Sequence, residues 1–168
     1  MAVLRLGVLD VPYSAVQTDS SADKDVAKFV ATGGGGKGVT TGDVAEFLEE
    51  KYKVMETFAD RNIEEFADQW AETQADALAD LAAGAPLEAV NPGLALESQV
   101  ETKFREFIDS RAMDGADGVP TEAARKGVNH RLKHPYAKDN PERPSFKDTG
   151  LYEASMKAQV LTEDASDD

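Results

Sequence analysis

Asp148-Thr-Gly-Leu-Tyr-Glu-Ala-Ser155, running straight into Met156-Lys-Ala-Gln-Val-Leu161, sets the class of fold. Asp148 can cap a short turn over residues 151–155 through its side-chain oxygens. From Met156 onward Met, Ala and Val alternate with Lys and Gln, the period of a half-buried strand. At the other end of the chain Val3, Leu4, Leu6, Val8 and Leu9 form a short apolar run. Asp10-Val-Pro12 stops it, the proline ending the strand or marking an edge. The last strand can pair with this first one. Helical patterns fill much of the sequence between them, so the expectation is an α+β fold. It has a small antiparallel sheet packed with one long, kinked helix and two shorter helices.

The long helix occupies residues 41–85. Thr41 or Asp43 can cap it, with Glu46 as the capping-box partner of Asp43. Val44, Phe47, Leu48, Met55, Phe58, Ile63, Phe66, Trp70, Leu78 and Leu81 recur near helical spacing, and Gly84 and Pro86 stop the pattern. Such a length predicts a kink, placed at Asp60-Arg-Asn62. Asn91-Pro92 opens the second helix, with Leu96, Val100, Phe104, Phe107, Ile108 and Arg111 on its inner face. A third runs from Val119-Pro-Thr121 to about Leu132, with Ala124, Val128 and Leu132 inward. Pro135, Pro141 and Pro144 then predict an extended basic arm over residues 134–147. Residues 14–43, with Gly33-Gly-Gly-Gly36 in the middle, read as a flexible loop, within which Asp25–Val30 is a strand or a helical turn. Residues 162–168 read as a disordered acidic tail, and residues 1–161 as one domain.

The 168 residues carry 18 Lys+Arg against 32 Asp+Glu, a net charge of −14, which repels nucleic acid and anionic membrane at long range. The absence of cysteine excludes disulfides, thiolate chemistry and Cys-based zinc sites. No apolar run approaches the ~20 residues that span a bilayer. The first residues lack the basic and apolar regions of a signal peptide, so an intracellularly made protein is expected. The charge is uneven: residues 41–112 hold six basic against seventeen acidic side chains, whereas residues 120–147 hold seven basic against three acidic. A short positive segment between negative ones suits a subunit whose positive patch meets a negative patch on a neighbour.

Candidate chemistry is sparse. Gly33–Thr40 departs from a phosphate loop at Ala31, where glycine is needed, and at Gly38, where Ser or Thr is needed. His130 and His134 stand four apart, as helical metal ligands do. Their neighbours are basic and no Glu is placed as a base, so they read as structural or interface histidines. No Ser/His/Asp or paired-acid arrangement assembles, and no catalytic activity, metal or cofactor is expected.

Residues 119–160 carry a resemblance. Val119-Pro-Thr-Glu-Ala-Ala-Arg-Lys-Gly-Val-Asn-His-Arg-Leu-Lys-His-Pro-Tyr136 precedes Arg143-Pro-Ser-Phe-Lys-Asp-Thr-Gly-Leu-Tyr-Glu-Ala-Ser155. The pattern Pro-x-x-x-Asp-Thr-Gly-Leu-x-x-x-Ser resembles the C-terminal signature of head–tail connection and tail-completion proteins of tailed bacteriophages. The virion morphogenesis protein of Mu-like phages has a similar stretch. The resemblance implies a neck or tail-terminator subunit in a homo-oligomeric ring, six-fold by expectation, in a virion assembled in the host cytoplasm. Such a ring meets connector, tail-tube or sheath proteins, and DNA passes through its lumen without specific binding. The expected oligomer or partner contacts are Arg125, Arg131, Lys133, Tyr136, Arg143, Pro144, Phe146, Asp148, Thr149, Gly150, Leu151 and Tyr152. The alternative reading is an acidic DNA mimic that occupies a basic nucleic-acid-binding protein, a partner it would hold in a salt-sensitive complex.

Overall fold

A computed structural model describes residues 2–12, 39–130 and 132–162. The loop glycines at 33–36, the Asp25–Val30 segment, Arg131 and the tail beyond Thr162 lie outside the described residues. The described chain is a small α+β fold. Strand β1 (Ala2–Val8) pairs antiparallel with β2 (Met156–Thr162), Leu4 facing Val160, Leu6 facing Ala158 and Val8 facing Met156. These six side chains line one face of the sheet, and all of them join the apolar core. The first and last strands therefore do pair. The final strand runs through Thr162, one residue further than its alternation suggests.

The three main helices are α1 (Thr41–Tyr52), α2 (Val54–Ala82) and α3 (Pro92–Asp109); α1 touches β1, and α2 packs on α3. α3 lies on β2 and runs antiparallel to α2. Thr40 is the N-cap of α1, one residue before the expected candidates, and Asp43 completes its capping box rather than Glu46. Thr41 is the first helical residue and wholly buried. Its hydroxyl donates to the Leu9 carbonyl and accepts from the Val11 amide at 2.8 Å, fixing the start of α1 to the chain that leaves β1.

The kink lies at Lys53, not at Asp60-Arg-Asn62. Lys53 is left-handed (φ 54, ψ 47) and divides the long helix into α1 and α2. The carboxylate of Glu49 folds across the break and accepts from the amides of Met55 at 2.7 Å and Glu56 at 3.1 Å, two donors that the new helix would otherwise leave open. Asn62 stays helical and buried, and its amide donates to the Phe58 carbonyl at 2.7 Å. That back-bond lets a polar residue stand in the buried stripe Val54, Phe58, Asn62, Phe66. Ile63 and Leu78, expected inward, are instead 57% and 67% exposed. Ile63 lies off that four-residue spacing, whereas Leu78 keeps it; each step of four overshoots a full turn by about 40°, so three steps beyond Phe66 the helix has carried Leu78 round to solvent.

The core centres on Phe58. Its ring meets Phe104 edge-on at 5.1 Å, Phe107 at 5.4 Å and Phe66 at 5.7 Å, and Phe104 in turn meets Tyr152 at 5.8 Å. Beyond α3 the third expected helix shrinks to one turn, α4 (Glu122–Arg125), capped by Thr121. Gly127 (φ +64) ends it, and Leu132 is 41% exposed rather than inward. A last short helix, α5 (Leu151–Ser155), leads into β2. No helix among the described residues is long and apolar enough to cross a membrane.

Two substitutions test the break. Lys53→Gly removes the cost of a side chain in the left-handed region, ~1–2 kcal/mol, at some expense in chain entropy. Its expected net gain is about 0.5–1 kcal/mol, read as a rise of roughly 1–4 °C in thermal unfolding. Glu49→Ala is expected to lose about 1 kcal/mol as a lost cap.

Candidate interaction surface

Residues 126–130 and 132–148 do not extend from the body; they coil into successive turns. The Asn129 amide donates to the Pro135 carbonyl, and the Asn140 side chain donates to the carbonyls of His134 at 2.9 Å and Pro135 at 3.0 Å. Proline removes donors from this segment, and side chains and neighbouring amides close the turns instead. Gly127 is required here: a Cβ would lie 2.6 Å from the carbonyl oxygens of both Asn140 and Pro141.

Asp148 clamps this loop to the signature stretch. One carboxylate oxygen accepts from the His130 backbone amide at 2.9 Å, and the other meets His130 Nδ1 at 2.5 Å. The other ring nitrogen, Nε2, lies 3.0 Å from the Tyr136 hydroxyl, within hydrogen-bond distance. Arg143 is nearly buried, its side chain 11% exposed. Its Nε donates to the Val128 carbonyl, its Nη1 to the Pro144 carbonyl at 3.1 Å, and its Nη2 stands 4.0 Å from Asp148. Asp148 therefore braces His130 instead of capping α5. The Thr149 hydroxyl accepts from the Leu151 amide at 3.2 Å, and Gly150 (φ 78) supplies the left-handed turn into the helix.

The twelve candidate contact residues thus divide. Tyr152 is 2% exposed and packs on Phe104, so it is a core residue. Gly150 is buried. Phe146 stacks at a tilt on Tyr52, 5.1 Å between ring centres. Pro144, Thr149 and Leu151 are half-buried, and Arg143 and Asp148 are engaged inside the loop. Arg125, Lys133 and Tyr136 face solvent, together with Lys138; Arg131 lies outside the described residues. His134 is exposed, apart from the contacts of His130.

Lys147 and Arg111 fasten this region to the end of α3. The Lys147 ammonium donates to Asp109 and stands 3.1 Å from Glu153, and Arg111 lies 3.8 Å from Glu142. Burial disfavours the charged lysine, but its hydrogen bonds to Asp109 and Glu153 outweigh that and hold its pKa above the ordinary lysine value. Sequence reading missed this lysine, whose partners lie 38 residues upstream and six downstream.

A second feature lies on α2. Asp60, Glu64, Asp68, Glu72, Asp76 and Asp80 recur every fourth residue, all are exposed, and none has an ion pair among the described residues. They stand two residues out of step with the buried stripe, about 200° around the helix. Like charges at this spacing repel by a few tenths of a kcal/mol per pair. Between α2 and α3 an open groove of about 370 Å³ is lined by Arg61, Lys103 and Phe107 among others. Its cations are already engaged, Lys103 by Glu65 and Arg61 by the Ala112 carbonyl.

A pH-resolved test follows from Lys147. Its raised pKa means that the ion pair contributes fully below the ordinary lysine pKa and fades only as pH rises through the raised value. Lys147→Met is expected to cost about 2–3 kcal/mol at pH 7, because Asp109 and the buried Glu153 both lose the Lys147 ammonium. In urea unfolding the deficit should persist at neutral pH and shrink as pH rises through the raised lysine value, where the wild type loses the same cation. Comparison of the chain with models of known families, with curated proteins and with solved structures found no match.

Proposed function

We propose that this chain is a structural, non-catalytic subunit of a tailed-phage virion. It stands at the head–tail junction in a neck or tail-terminator ring that joins the connector to the tail and leaves a channel for DNA. The observation that carries the reading is the stretch Pro144-x-x-x-Asp148-Thr-Gly-Leu151-x-x-x-Ser155. Its geometry supports a scaffolding role: Asp148, Thr149 and Gly150 spend their chemistry on holding backbone, and the loop they brace presents Arg125, Lys133, Tyr136 and Lys138 outward. A braced loop with an exposed cationic surface is a preorganised contact, which limits the ordering cost of assembly. The acidic line on α2 supports a lumen or flank that does not hold DNA, since bound phosphates require Lys and Arg.

The acidic line also favours one other reading, a DNA mimic. Its carboxylates rise about 6 Å from one to the next, a repeated negative charge that a basic groove could accept.

Mass spectrometry of density-purified particles, with antibody labelling in electron micrographs, tests the first reading. The chain is expected at a small fixed copy number at the neck. Its absence from particles, together with salt-sensitive capture of a DNA-binding protein, would overturn that reading in favour of the mimic.

A further inference from the structure

Two patches at opposite ends of the α2–α3 hairpin complement each other in sign and in kind. Phe58 and Glu65 of α2 lie opposite Phe107 and Lys103 of α3, so α2 runs about two turns beyond the start of its partner. At that end Leu78, Leu87 and Leu94 are 67%, 71% and 61% exposed. Glu72, Asp76 and Asp80 occupy the same last turns of α2, Asp76 and Asp80 each about 200° round the helix from Leu78; none has an ion pair among the described residues, and the last turn of α2 has no basic residue. The negative end of the helix dipole is therefore left without a cation, on top of the carboxylates. At the opposite end is the basic loop, tied to the last turn of α3 and the chain just after it by Lys147–Asp109 and Arg111–Glu142. There Arg125, Lys133 and Lys138 are exposed without an ion pair among the described residues, beside Leu132 and Tyr136, which are 41% and 43% exposed. α3, 18 residues and about 27 Å long, separates the two patches, so one copy cannot bring them together.

We infer that they meet between copies: the leucine-rich, acidic tip of one chain docks on the Tyr136 loop of the next. The occupant is a second copy because both halves of the match are written on this chain. At a net charge of −14 two copies repel except where a positive patch faces a negative one. Tyr136, held by His130, is a preordered aromatic anchor for an apolar partner surface. Contact between unlike ends is heterologous and propagates into a ring or an open filament. This inference rests on the ring reading above and names its surfaces.

Sedimentation velocity of the full chain over rising concentration tests it. The wild type is expected to self-associate at low salt and to dissociate as salt rises. Asp76→Lys with Asp80→Lys should weaken association tenfold or more, and so should Arg125→Glu with Lys133→Glu. Mixing the two variants should restore it, because the reversed tip of one then faces the reversed loop of the other. Leu87→Asp should weaken association without reversing a cation, and circular dichroism should show every variant folded. A wild type that stays monomeric at all concentrations would overturn the inference, as would folded variants that associate like the wild type or a mixture that does not recover. Particle composition decides the virion reading separately: a chain present in particles but indifferent to these reversals loses only the named surfaces.

Discussion

Pairing of the first strand with the last, Ala2–Val8 against Met156–Thr162, is the constraint on which the rest of the molecule depends. A two-stranded ribbon alone is marginal in water. It persists here because its apolar face lies against α3, and because α3 in turn is wedged against α2 by Phe58, Phe104 and Phe107. Even the outer edge of β2 is engaged, the Val160 amide donating to Glu97 of α3 at 2.8 Å. The sheet therefore closes the chain upon itself, and loop-closure entropy must be met before these distant contacts form.

The segment that reaches β2 is built to arrive in register. Tyr152 enters the aromatic core, Ser155 accepts the Leu9 amide through its carbonyl, and Met156 is wholly buried. Asp148 and Lys147, two and three residues before Gly150, fix the approach by holding His130 on one side and Asp109 on the other. The signature stretch thus serves the fold first. Its contribution to any partner is indirect, through the loop whose outer face it holds still, and the two exposed charge patches remain as the surfaces with unspent interaction energy.

Regular structure was legible where a local pattern recorded burial directly. The alternation of residues 156–161, the Asn91-Pro92 start and the four-residue spacing from Phe58 to Phe66 each imply the element found there. The kink was misplaced because Lys53 carries no local signal: its left-handed backbone is sustained by Glu49, reaching forward to amides six and seven residues on. The third helix was overestimated because Ala124 and Val128 have helical spacing, while the demand that Gly127 meet Asn140 and Pro141 arises only once the loop has folded back.

The candidate surface shows the same division. Sequence alone established the sign and place of the charges, the acidic stretch at 41–112 and the basic one at 120–147, since charge is a property of residue type. Only the tertiary structure decided which cations are available: Arg143 and Lys147 look equivalent to Lys133 and Lys138 along the chain, yet the first two are engaged by Val128, Asp109 and Glu153. It likewise decided that Tyr152 belongs to the core while Tyr136 faces solvent. Burial and pairing depend on residues brought together across the fold, and a linear pattern holds no record of those neighbours.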